Sequence, residues 1–137
     1  MNNHLNNAYS EALYWLELDE GRRYFKVGAK SSALDAILQS CHVSQAVFIT
    51  ASNPASEPIA ETINRRNNKR LIKQLEDAGF GFFSGFGGDK SRKWPDETSY
   101  LVCGMNVQQA DILARQYGQN AYLLIEKNRP VVLRWVP

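Results

Sequence analysis

Val47-Phe48-Ile49-Thr50-Ala51-Ser52-Asn53-Pro54-Ala55-Ser56 decides the fold, because an apolar β-run stops abruptly in polar residues and leads into a basic helix. A short apolar run bounded by turn residues reads as a strand buried on both faces. Other elements must therefore cover both of its faces, which predicts a sheet with helices packed on it. The polar residues beyond Ile49 are delivered to one edge of that sheet, where ligand sites of α/β proteins commonly form.

Working outward, a helix is expected from Ile59 to Ala78, stopped by Gly79. Upstream, Tyr14–Leu18 and Tyr24–Val27 read as strands around a turn at Asp19–Arg22. Ser31 or Ser32 then caps a short helix with Ala33, Leu34, Ile37 and Leu38 on one face. Downstream, Phe80–Ser84 and Tyr100–Cys103 are strands, and Gln108–Tyr117 is a helix ended by Gly118. Ala121–Ile125 and Val131–Trp135 close the chain as a hairpin. The order β-β-α-β-α-β-β-α-β-β predicts an α+β fold, with one mixed sheet of about six or seven strands and three helices. Residues 1–9, rich in Asn, are expected to be a flexible terminus, and 10–137 one domain.

Composition narrows the function classes. The net charge of +2 is too small to imply nucleic acid by itself, so electrostatic arguments rest on local clusters. Cys41 and Cys103 read as buried thiols rather than a disulfide framework. The first residues lack the basic and apolar regions of a signal peptide, and no apolar run approaches the roughly 20 residues that span a bilayer. A cytoplasmic protein without membrane association is expected.

Plotted at about 100° per residue, the long helix places Ala60, Ile63, Leu71, Leu75 and Ala78 on one arc, with Asn64 and Asn67 inside it and Asn68 at its edge. A core-facing amide needs partners, since an unpaired one costs about 1–3 kcal/mol. These amides either tie down the Thr50–Ser56 loop or face a cavity and a ligand. The opposite arc carries Arg65, Arg66, Lys69, Arg70 and Lys73. That arc is either a solvated face or a contact for a phosphate backbone. Arg66 or Arg70, at the pocket rim, would hold an anionic group by a bidentate contact.

Gly85–Lys93 reads as a Gly-rich basic lid or unusual turn, and it matches neither the dinucleotide fingerprint nor the P-loop. Beyond Trp94, residues Asp96 and Glu97 would point to opposite faces of an extended segment, whereas Glu97 and Ser99 share one. Glu97 either pairs with an arginine or caps the loop, or it acts as the general acid/base of any chemistry present. Gln119, between a helix end and a strand, could reach the same edge. Hydrolase, zinc and redox motifs are absent, so no metal and no cofactor is expected.

The succession Phe48-Ile49-Thr50-Ala51-x-Asn53-Pro54-x-Ser56, Asn64-x-x-x-Asn68-x-x-Leu71, Gly85-x-Gly87, Trp94-x-x-Glu97-x-Ser99 and Ala110-x-x-Leu113-Ala114-x-x-Tyr117-Gly118-Gln119-x-Ala121 resembles a group of small bacterial proteins known as domain of unknown function 3293. The likeness implies that Asn53, Ser56, Asn64, Asn68, Trp94, Glu97, Ser99 and Gln119 occupy the family's pattern positions, and it implies no activity. The chain departs from the pattern at Ala51-Ser52 and at Ser91-Arg92-Lys93.

Two functions are therefore expected as alternatives. One is binding of a small polar or phosphorylated, nucleotide-like ligand at the carboxyl edge of the strand ending at Thr50. Its site would comprise Thr50, Asn53, Ser56, Asn64, Asn68, Trp94, Ser99 and Gln119 together with Glu97. The other is a nucleic-acid- or protein-binding module, or an inhibitor of a host or phage complex, using the helix 59–78 and the loop 85–93.

Overall fold

Alternation along Gln45–Ile49 (β3) organises the molecule. Ala46 and Phe48 join one apolar cluster and Val47 and Ile49 the other, so the strand is buried on both faces. A computed structural model describes residues 3–88 and 97–137. Leu13–Leu18 (β1) and Gly21–Phe25 (β2) form a hairpin, preceded by a helix at Asn3–Glu11 (α1), where the sequence predicts a flexible terminus. Phe82–Gly88 (β4), Glu97–Cys103 (β5), Ala121–Glu126 (β6) and Val132–Trp135 (β7) complete a seven-stranded sheet of order β2-β1-β4-β5-β3-β6-β7.

The α+β class, the single sheet and, apart from the added α1, the element order are those expected, whereas the expected mixed sheet is an antiparallel one. The pairings between named strands are all antiparallel, and a parallel partner appears only in the isolated bridge between Val27 and Val131. One end of the sheet thus combines the carboxyl end of β3 with the amino ends of β5 and β6.

Ser32–Ser40 (α2) covers one face through Leu34, Ile37 and Leu38, its start fixed by the Ser31 side chain accepting from the Leu34 N–H at 3.2 Å. Glu61–Asp77 (α3) and Val107–Gln116 (α4) cover the other, α4 opening with a reciprocal Asn106–Gln109 capping box. Of the arc expected to pack α3, only Leu71 and Leu75 are buried, and Ile63 is 38% exposed. The first turns of α3 overhang the Ala51–Asn53 loop, so Asn68 occupies the core side there instead of an apolar residue. On α4, Asp111 is buried against β6 and β7. It accepts from Arg134 Nε at 2.9 Å, Arg134 Nη2 at 2.6 Å and the Tyr122 hydroxyl at 2.8 Å. The bidentate Arg134 contact holds its carboxyl below the usual carboxylate range.

Gly85, Gly87 and Gly88 correct the expectation of a lid: they belong to β4 and pair with β1 and β5, while 89–93 lie outside the described residues. Gly85 serves close approach rather than mobility, since a Cβ there would collide with the Trp15 carbonyl oxygen. Gly85→Ala is expected to destabilise the protein by at least about 3 kcal/mol in urea unfolding. Gly81→Ala, which meets nothing within 4 Å, is expected to stay within about 0.5 kcal/mol of wild type.

Candidate functional site

At the end of β3 the chain turns through left-handed conformations at Asn53 (φ 47°), Ala55 (φ 58°) and Ser56 (φ 61°), within the short helical turn Pro54–Ser56 and its cap. Such conformations cost a non-glycine residue about 1–2 kcal/mol each. Hydrogen bonds hold the turn: the Ala55 N–H donates to Gly118 O at 2.7 Å and the Ser56 N–H to Asn53 O at 3.0 Å. Thr50 Oγ1 donates to Thr98 O at 2.5 Å and accepts from the Ser52 N–H at 2.9 Å.

The α3 amides complete the frame. Asn68 accepts from the Ala51 N–H at 3.1 Å and donates to Ser52 Oγ at 2.8 Å, and both residues are buried. Asn64 accepts from the Asn53 N–H at 2.9 Å and donates to Asn53 Oδ1 at 2.7 Å. Asn53 Nδ2 in turn donates to Glu97 Oε2 at 2.8 Å. Gln119 donates to Ser52 O at 2.9 Å, and Ser99, buried at the start of β5, donates to Glu97 O at 3.1 Å.

Against this frame lies a cavity of about 50 Å³. Its polar wall includes Thr50, Asn53, Ser56, Glu97, Ser99 and Gln119. Asn64 and Asn68 stand behind that wall and position it. Trp94 and Asp96 fall outside the described residues. Arg66 and Arg70 are exposed and do not line the cavity.

Residues without a sequence signal supply the remaining surface. Tyr9 of α1 and Tyr14 of β1 both line the space, linked by the Tyr14 hydroxyl donating to Tyr9 O at 2.7 Å. The Tyr9 and Ser56 hydroxyls share a hydrogen bond, and Asn120 donates to Ser56 Oγ at 3.1 Å. The Tyr9 ring packs edge-on against Trp135, with centroids 5.6 Å apart. A Cβ on Gly87 would lie 3.1 Å from the Tyr14 ring, so a glycine here makes room for that ring.

Burial raises the Glu97 carboxyl above its ordinary range, and the Asn53 hydrogen bond opposes this in part. Burial likewise raises Tyr9 and Tyr14, with the Glu97 charge adding to both. A carboxyl raised in this way holds its proton more tightly than a solvated one. Among the described residues no three His, Cys, Asp or Glu side chains group as metal ligands, and no helix is long and apolar enough to cross a membrane.

A family model described as Protein of unknown function (DUF3293) matches residues 49–122, more than half of the chain. The chain belongs to this family. No curated protein and no solved structure matches it. The DUF3293 match opens at the end of β3 and closes inside β6, so it contains the Asn53 network, while Tyr9 and Tyr14 precede it.

Asn68→Ala is expected to cost about 2–3 kcal/mol in urea unfolding, because the buried Ala51 N–H loses its acceptor. A loss under about 0.5 kcal/mol would show that the loop does not depend on it. Glu97 sets a pH dependence. Between its ordinary and raised pKa the folded protein keeps a proton that the unfolded chain releases. The resulting stability is complete below the ordinary value and lost as pH rises through the raised one. Glu97→Gln can still accept from Asn53, so the Tm difference, variant minus wild type, is expected to grow from about pH 4 to about pH 8. A flat or shrinking difference contradicts this account.

Proposed function

We propose that this domain binds a small polar molecule in the cavity between the Thr50–Ser56 turn, the start of β5 and α1. The observation that carries the reading is Glu97, a half-buried carboxylate facing a space large enough for several waters, with no cation beside it among the described cavity residues. A carboxylate so placed costs stability unless its environment serves a purpose. The strained turn that presents Asn53 to Glu97 points the same way, since backbone strain concentrates at functional sites.

The dimensions and charge refine the occupant. Ligand pockets usually measure roughly 300–1,000 Å³, so about 50 Å³ encloses one group of a ligand and not a nucleotide. Among the described residues no arginine lines the cavity to compensate Glu97 against a phosphate, so the enclosed group is better matched by a donor or a cation than by an anion. Thr50, Asn53, Ser56, Ser99 and Gln119 would orient it, and Glu97 would accept its hydrogen bond or balance its charge.

The alternative, a nucleic-acid- or protein-binding module, draws on the exposed cations Arg65, Arg66, Lys69 and Arg70 of α3. It leaves the buried carboxylate without a purpose, and part of its expected loop is β4.

Native mass spectrometry of freshly purified protein is expected to show a small bound mass that denaturation releases. Screening polar metabolites by thermal shift should find a stabiliser: a ligand at 100-fold its Kd adds about 2.7 kcal/mol, several degrees in Tm. Bare protein together with no stabilising compound would overturn the reading. Nucleic-acid binding that weakens steeply with salt and is lost on reversing Arg65 and Lys69 would favour the alternative.

A further inference from the structure

Among the described residues that line the cavity, Glu97 carries the only formal charge. Much of the remaining wall is aromatic. Tyr9, Tyr14 and Phe48 contribute to it, whereas the Tyr122 ring turns to the other face of the sheet, its hydroxyl donating to Asp111. Tyr14 and Phe48 meet edge-to-face, with centroids 5.9 Å apart and planes at 79°, so they form two walls near a right angle. Aromatic rings present negative faces, and a carboxylate among them makes a site complementary to a cation and hostile to an anion.

The size agrees with the charge. At about 10–15 Å³ per water-sized group, about 50 Å³ accommodates roughly three to five heavy atoms. A trimethylammonium head contains one nitrogen and three carbons.

We propose that the group enclosed by the cavity is an alkylammonium or methylated ammonium head, with Glu97 as its counter-ion and the rings of Tyr9, Tyr14 and Phe48 as its aromatic wall. This deepens, and rests on, the reading of the cavity as a ligand site. The hydroxyl and amide groups at the Ser56 end would meet the polar remainder of the molecule. The cation also compensates the buried carboxylate, returning Glu97 toward its ordinary ionisation on binding.

Choline tests the assignment, with 3,3-dimethylbutanol as its uncharged isostere and acetate as a small anion. Isothermal titration of the full chain is expected to give saturable binding of choline at least about tenfold tighter than of the isostere. Glu97→Gln, which keeps an acceptor for Asn53, should erase that preference. Tyr9→Phe should retain choline binding and Tyr9→Ala should weaken it. Equal or tighter binding of the isostere or of acetate overturns the cation assignment and leaves the ligand-site reading standing. No heat with choline, methylammonium or tetramethylammonium at millimolar concentration also overturns it. If native mass spectra and the metabolite screen are then blank as well, the ligand-site reading falls with it.

Discussion

The side chain of Asn53 is the joint on which one end of the sheet is assembled. Its Nδ2 donates to Glu97 Oε2, its Oδ1 accepts from Asn64 Nδ2 and the Ile59 N–H, and its backbone N–H is held by Asn64 Oδ1. One amide thus connects the end of β3, the lead-in to α3, α3 itself and the start of β5. Asn tolerates a left-handed backbone better than most residues and supplies both a donor and an acceptor. An aspartate could not donate to Glu97, and a glycine would remove all three side-chain bonds.

Two electrostatic environments lie on the same short segment of chain. The outward face of α3 is basic and solvated, with Lys73 paired to Asp77 at 3.3 Å. The turn before it encloses a carboxylate among tyrosines. The arginines do not reach the carboxylate because the amides of Asn64 and Asn68 occupy the helix face turned toward the loop. The helix itself thus separates its basic face from the carboxylate.

Much of this was legible in the residues. Val47–Ile49 announces a strand buried on both faces, but such a run reads alike in parallel and antiparallel surroundings, so strand direction was not readable. The two-residue alternation of a strand places Glu97 and Ser99 on one face from the sequence alone. Gly85 misled because flexibility and close approach call for the same residue, and only the Trp15 carbonyl distinguishes them. Asn68, expected at the edge of the packing arc, is the buried amide because α3 begins beyond the sheet. Tyr9 had no periodic signal in an Asn-rich stretch, since its contacts to Ser56 and Trp135 are far away in sequence.

The strand order carries a consequence for how this end of the molecule comes into being. β3 pairs with β5 and β6, Phe48 opposite both Leu101 and Leu123, so its neighbours are synthesised long after it. Such distant pairings are paid for in loop-closure entropy before they return any contact energy. During synthesis Asn53 and Asn64 emerge together, whereas Glu97 and Gln119 arrive only with the last third of the chain. The strained turn cannot be locked until Gly118, Gln119 and Asn120 are in place. The polar cluster at this end of the sheet is therefore among the last parts of the protein to form.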